Sequence, residues 1–216
     1  MKIRYLIRKY TTKNFNILTE TAFHEAGHIW FSYFADFKVD KVEISHINIG
    51  NGRTTINYGD VEDVVKALFD LNHTATTFNN LPIDKKSKFQ TTSFKLINSL
   101  IGGPLAEARY KALKENRRDS DVIIEHSDYK MSMTIEESMN NILNNQGQPT
   151  KPYFTQKQVE KIGGIISLKE VWNVITELAL AILNKKNYTL DNTEIELILT
   201  QKGFLTFVDN LPATNG

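Results

Sequence analysis

The 216-residue sequence contains no cysteine, and its acidic and basic residues nearly balance. Without cysteine the chain cannot form disulfides, thiolate zinc fingers or iron–sulfur clusters, and any metal must be held by His, Asp or Glu. The 26 Lys and Arg residues against 25 Asp and Glu residues give a net charge of +1. This balance removes the usual electrostatic argument for binding nucleic acid or an acidic membrane.

Long apolar runs are also missing. The most apolar late stretch, residues 171–183, is short and carries Glu177, whereas a membrane-spanning helix needs about 20 apolar residues. The N-terminus lacks the apolar core of a secretory signal and instead carries several basic residues: Lys2, Arg4, Arg8, Lys9 and Lys13. We therefore expect a cytoplasmic protein without a membrane span.

Hydrophobic periodicity predicts a mainly helical protein with one small β-hairpin. In residues 14–34 the apolar side chains cover most of the helix circumference, which is typical of a buried helix. Val42, Ile44 and His46 alternate with polar residues before a Gly-Asn-Gly sequence at 50–52, a pattern that predicts a hairpin. Further helices are expected at residues 61–71, at 94–108, at 128–147 and in the C-terminal third.

The domain organisation is predicted to be simple. We expect one domain over residues 1–216, with a basic arm at 1–13, an inserted polar loop at 72–92 and a C-terminal tail at 204–216. The loop is rich in Thr, Asn and Lys and contains Pro82, which is typical of irregular structure. Pro104 follows two glycines and predicts a kink or a restart in the helix around it.

The residues with the clearest chemical pattern lie in the first helix, in the sequence His24-Glu25-Ala26-Gly27-His28. Histidines at positions i and i+4 share one helix face, so both imidazoles can bind one zinc ion. The intervening glutamate is offset around the helix and can reach a water instead of the metal, as in zinc peptidases. From Ala22 to Ala35 the only ionisable side chains apart from Tyr33 are these three residues, which favours a ligated cluster, because burying them without partners is costly.

Zinc needs a third protein ligand, and a catalytic site leaves its fourth position open. Spacing alone does not choose among the candidates, because this ligand can come from anywhere in the chain. The candidates are His46, His73, Glu107, Asp119, Asp121, Glu125, His126 and Asp128.

Several motifs together resemble the peptidase domain of the FtsH family of ATP-dependent zinc proteases. The sequence TAFHEAGH is followed by a predicted helix that contains the motif Gly-Gly-x-x-Ala-Glu at residues 102–107. Further along the chain come SDYKMSMTI, from residue 127, and a Thr-Leu-Asp turn at residues 189–191. The similarity extends over about residues 14–203. It implies a helical zinc-protease fold in which Asp128, at the start of a helix, is the third zinc ligand. For the glycine pair we expect a role in close helix packing without a direct part in catalysis.

This resemblance implies an enzyme in which His24, His28 and Asp128 hold Zn²⁺ and Glu25 is the general base. The sequence lacks a phosphate-binding loop and room for an ATPase domain, so we expect a free-standing, ATP-independent zinc metalloendopeptidase acting on unfolded or loosely folded polypeptides. The strand at 42–47 is expected to offer its edge to the substrate. A homo-oligomer or an ATPase supplied in trans is possible, and the alternative is a non-catalytic, zinc-bound module for binding or regulation.

Overall fold

A long helix near the start of the chain organises the structure. The computed structural model describes residues 12–70, 74–115, 126–204 and 207. In chain order its elements are α1 (Thr12–Phe34), β1 (Lys38–Ile44), β2 (Gly52–Asn57), a 3₁₀ turn (Gly59–Val61), α2 (Glu62–Phe69), α3 (Thr74–Asn80), α4 (Ile83–Lys114), α5 (Ser127–Asn145), α6 (Phe154–Ser167), α7 (Lys169–Asn184), β3 (Thr189–Asp191) and α8 (Asn192–Gln201). The prediction of a mainly helical protein with a small β element is confirmed.

Helix α1 is buried on nearly all sides, as its apolar pattern predicts. It packs against α4 on one side and α7 on another, while β1 and β2 cover part of its remaining surface. Several of its side chains are at most 1% exposed: Leu18, Ala22, Ala26, Ile29, Trp30 and Phe31. Burial of this much apolar surface holds the helix in place, and the polar groups on α1 are thereby fixed in position.

The sheet contains the predicted hairpin and one strand that was not predicted. Its order is β2-β1-β3, and both pairings are antiparallel. Val42 in β1 lies opposite Thr54 on one side and Leu190 on the other. The predicted substrate edge at residues 42–47 is therefore wrong, because β1 is the middle strand and its hydrogen-bonding groups are used on both sides. Within the described part of the chain, the free edge nearest the candidate site belongs to β2.

The predicted loop at residues 72–92 is wrong for the part that is described. Residues 74–80 form α3, and α4 begins at Ile83 directly after Pro82. Phe78 and Phe89 are buried, and their ring centroids lie 4.8 Å apart. Two aromatic anchors thus hold the helices to the core, while most of the Thr, Asn and Lys residues occupy exposed or half-buried positions. The polar composition reflects solvent-facing helix surfaces.

The predicted restart at Pro104 is also wrong. Helix α4 continues from Ile83 to Lys114 with Pro104 in its interior. An interior proline deprives the carbonyl of Leu100 of its helical donor and disfavours a straight helix. Here Pro104 is itself buried, and α4 makes extensive contacts with α1, α5 and α6. This tertiary packing outweighs the local preference.

The two chain ends lie largely outside the described residues. Of the predicted basic arm, only Thr12 and Lys13 are described, and both belong to α1. At the other end, the predicted tail begins with a core residue, because Phe204 is buried and its ring lies 5.3 Å from that of Trp30. Among the helices described, none is both long and apolar enough to cross a membrane.

Candidate metal centre

Three glycines let α1 and α4 approach closely at the candidate site. A Cβ atom added to Gly27 would lie 2.3 Å from the carbonyl oxygen of Gly102. At Gly102 it would lie 2.6 Å from the ring of Phe31, and at Gly103 it would lie 2.4 Å from Nε2 of His28. The predicted packing role of the glycine pair is confirmed, and Gly103 also leaves space for the imidazole of His28.

Three side-chain atoms converge beside this helix contact. Nε2 of His24 lies 3.0 Å from Nε2 of His28 and 3.1 Å from Oδ2 of Asp128, and His28 Nε2 lies 3.4 Å from the same carboxylate oxygen. Ligand atoms in a tetrahedral zinc site are separated by about 3.3 Å, given bonds of about 2.0–2.1 Å. The spacing of these three atoms therefore fits a shared zinc ion.

The other nitrogen of each imidazole is held by an acceptor on α4. Nδ1 of His24 donates to Oε2 of Glu107 at 3.0 Å, and Nδ1 of His28 donates to the backbone carbonyl of Ser99 at 2.9 Å. Such bonds fix the tautomer and orientation of metal-binding histidines. With both Nδ1 atoms donating, the two Nε2 lone pairs point towards each other and towards Asp128, an arrangement that requires a proton or a cation among them.

The pKa values of these groups reflect the same convergence. Burial alone would lower the pKa of His24, but hydrogen bonds to Asp128 and Glu107 outweigh it and raise the pKa to about 9. Burial would raise the pKa of Glu107, yet hydrogen bonds from His24 and Lys111 lower it to about 2. For Asp128, the effect of burial is likewise overcome by His24 and His28, and its pKa is lowered. The hydrogen bonds among these groups therefore favour the charged forms of His24, Glu107 and Asp128.

Glu25 lies next to these atoms and faces the hairpin. It is only 4% exposed, and its Oε2 accepts a hydrogen bond from Oγ1 of Thr54 at 2.6 Å. A side chain at position 52 would collide with Glu25, because an added Cβ would lie 2.2 Å from Oε1. Strand β2 thus positions the carboxylate of Glu25 in two ways. Thr54 donates a hydrogen bond to it, and Gly52 leaves space for it.

A cleft of about 520 Å³ opens onto this cluster. Helix α1 and strand β2 supply most of its walls, and α4 and the start of α5 supply the rest. Its lining includes Ile17, Glu20, Thr21, His24, Glu25, His28, residues 50–54, Ile56, Tyr58, Leu100, Glu107, His126, Ser127 and Asp128. The cluster is therefore accessible to a small ligand, since pockets of about 300–1,000 Å³ hold small molecules.

The structure separates the candidates for the third ligand. Asp128 lies with the two histidines, whereas Glu107 contacts His24 through the opposite ring nitrogen, and His46 is exposed on the hairpin connection. A second set of ligand atoms, from His24, Glu107 and His126, also lies within 4.8 Å. This second set shares His24 with the first set, so it forms the outer side of the same candidate centre. The other four candidates lie outside the described residues: His73, Asp119, Asp121 and Glu125.

Two contributors to the site were missed by the sequence analysis. The backbone carbonyl of Ser99 gives no sequence signal, because every residue carries one. Thr54 lies in an unremarkable strand, and only the pairing of β2 with β1 brings its hydroxyl to Glu25. His126 occupies the N-cap position of α5 and makes no side-chain cap bond there.

Comparisons with known proteins found no match: no family model matches the chain, and no curated protein is detectably similar to it.

Proposed function

We propose that this protein is a zinc-dependent metallopeptidase that hydrolyses peptide bonds in unfolded or loosely folded polypeptides. The observation that carries the proposal is the convergence of His24, His28 and Asp128 beside the buried carboxylate of Glu25, at the base of an open cleft. The resemblance of the motifs to FtsH-family peptidase domains supports the same function.

His24, His28 and Asp128 would hold the zinc ion through the three atoms that face one another. When bound there, zinc supplies Lewis acidity, which makes water more acidic and polarises a carbonyl group. Glu107 and the Ser99 carbonyl keep the two imidazoles in the tautomer that leaves each Nε2 free to bind a cation. The residues present therefore fit a zinc ion without rearrangement of their hydrogen bonds on α4.

Glu25 would move the proton. Its carboxylate accepts the proton of the attacking water and later delivers it to the leaving amine, which is the role of a general base followed by a general acid. The hydrogen bond from Thr54 fixes one oxygen of this carboxylate. The bond thereby limits rotation of the group and holds it close to the cleft.

Strand β2 would bind the substrate backbone. Its residues Gly52, Arg53, Thr54 and Ile56 line the cleft, and one of its edges is unpaired within the described part of the chain. An extended peptide can pair with such an edge. This pairing would require the substrate segment to be unfolded, which agrees with the proposed preference for loosely folded chains.

The test compares Glu25→Gln with the wild type and with Glu177→Gln, a control on α7 outside the cleft. We expect about one zinc per chain in all three proteins. The wild type and the control should cleave casein and a fluorogenic peptide, whereas Glu25→Gln should lose about 10²–10⁴-fold in turnover, the usual contribution of a general base. Metal content is measured by elemental analysis.

ATP should not stimulate cleavage, because these 216 residues contain no phosphate-binding loop. A tightly folded substrate should resist, since opening it costs about 5–15 kcal/mol. Wild-type turnover in Glu25→Gln would exclude Glu25 as the base. Stoichiometric zinc without cleavage of any substrate would instead favour the non-catalytic binding or regulatory module, and absence of zinc would reject both functions.

A further inference from the structure

His126 links the start of α5 to α4. Its backbone carbonyl accepts a hydrogen bond from the amide of Lys130 at 3.2 Å, so its main chain is part of the first turn of α5. Its side chain points the other way, with Nε2 at 3.4 Å from Oε2 of Glu107. The ring centroid lies 5.1 Å from that of His24. One side chain thus connects the first turn of α5 to the outer side of the metal centre.

Asp128 has few other restraints on its direction. It is the second residue of α5, and within the described structure the polar partners of its carboxylate are the two histidines with which it would share a metal. Its side chain is 27% exposed, so surrounding side chains do not enclose it. Its aim therefore depends on where the first turn of α5 lies relative to α1 and α4.

Glu107 connects the two parts of the centre through a single atom. Its Oε2 accepts from Nδ1 of His24 and also lies 3.4 Å from Nε2 of His126, while its Oε1 pairs with Lys111. The same oxygen thus restrains a metal-binding histidine and the residue two positions before Asp128. Movement of α5 away from this oxygen would carry Asp128 away from the imidazoles.

We propose that His126 is a positioning residue: by holding the first turn of α5 against Glu107, it aims the carboxylate of Asp128 at the two imidazoles. The inference rests on the proposed function, because it concerns the same metal site. It adds a residue whose effect on metal binding acts through Asp128 and not through contact with the metal.

The test measures the affinity of each variant for Zn²⁺, and for Co²⁺ as a spectroscopic probe, by competition with a chromophoric chelator. His126→Ala should bind Zn²⁺ about tenfold more weakly, at the lower end of the 10–100-fold loss usual for outer partners of metal ligands. His126→Gln should remain close to the wild type, since its amide nitrogen can take the place of Nε2 beside Oε2 of Glu107. His46→Ala, which removes an exposed histidine, should have no effect and serves as the matched control.

A double-mutant cycle separates positioning from other effects. With Asp128→Ala already present, adding His126→Ala should cause no further loss of affinity. An equal tenfold loss in both backgrounds would show that His126 acts through Glu107 and His24, and would overturn the inference. Wild-type affinity in His126→Ala would overturn it as well.

Two further outcomes are distinguishable. If the wild-type protein binds neither metal, the proposed function fails and the inference fails with it; if the wild type binds Zn²⁺ and His126→Ala binds it equally well, only the inference fails. Should His126→Ala not fold, His126→Asn replaces it, because its shorter amide cannot reach Glu107 while His126→Gln can. Equal affinities for Asn and Gln variants would then reject the inference.

Discussion

The two halves of the proposed metal centre are positioned in different ways. His24, Glu25 and His28 lie on α1, which is buried on nearly all sides and in contact with α4 through glycines. Asp128 lies in the first turn of α5, is partly exposed, and follows a segment outside the described residues. The first half is fixed by close packing over many atoms, and the second by a few polar contacts.

The two halves of the site should therefore respond differently to mutation. Close packing resists small displacements because interiors have low compressibility, so we expect the separation of the two imidazoles to change little. Polar contacts at a helix start depend on their partners, and removing one partner leaves little to compensate for it. We therefore expect changes in the α1–α4 half to appear as lost stability, and changes in the α5 half to appear as lost metal affinity.

The largest effect is expected from Asp128→Ala. Loss of a direct ligand should weaken Zn²⁺ binding by more than about tenfold, since even outer partners contribute that much, while the melting temperature of the metal-free protein should change little. Chelator competition and thermal unfolding measure the two quantities. Asp63→Ala, which removes an exposed carboxylate on α2, is the control. Release of metal by Asp121→Ala, with Asp128→Ala unaffected, would show that the ligand is assigned to the wrong residue.

Gly27→Ala should affect the other half of the comparison. The added methyl group would meet the backbone carbonyl of Gly102 at 2.3 Å, and backbone cannot move aside as a flexible side chain can. We expect the free energy of unfolding to fall by about 1–3 kcal/mol, the usual cost of overpacking a core. Urea denaturation of the metal-free protein measures this change. Unchanged stability would mean that α1 and α4 separate easily, and the proposed difference between the halves would be lost.

The smallest effect, and one of opposite sign, is expected from Gly163→Ala. Gly163 lies in α6, and an added Cβ would have no neighbour within 4 Å. The change should stabilise the protein by about 0.5–1 kcal/mol, because glycine is costly in a helix interior. The same denaturation experiment applies, which makes this variant the matched control for Gly27→Ala. Destabilisation by Gly163→Ala would indicate that another part of the protein packs closely against this position of α6.

The first half of the site is predictable from sequence, because its geometry is local. A separation of four residues in a helix determines that His24 and His28 share a face, whatever the rest of the fold does. Asp128 is different, since it lies 104 residues from His24 and no spacing rule connects them. Only the resemblance to a family singles it out among the candidates, and the fold then brings it to the imidazoles.

The errors in the fold have a common cause. Polar composition at residues 72–92 and the proline at 104 are local signals, and both were outweighed by long-range packing. Phe78 and Phe89 anchor α3 and α4 in the core, and contacts with α1, α5 and α6 keep α4 continuous through Pro104. The third strand was missed for a similar reason: three residues, Thr189–Asp191, form a strand only because β1 is available to pair with them.

The pairing of β1 with β3 also bears on how the chain folds. Lys41 pairs with Asp191, and Trp30 contacts Phe204, so the hairpin and α1 are completed by residues made about 150–175 positions later. Contacts of such high sequence separation slow folding, because a long loop must close before they form. During synthesis, part of the apolar surface of α1 stays exposed until these later residues have been made. Exposed apolar surface of this kind makes nascent chains prone to aggregation. The helix that carries the histidine pair is thus fully enclosed only after residues far along the sequence have been made.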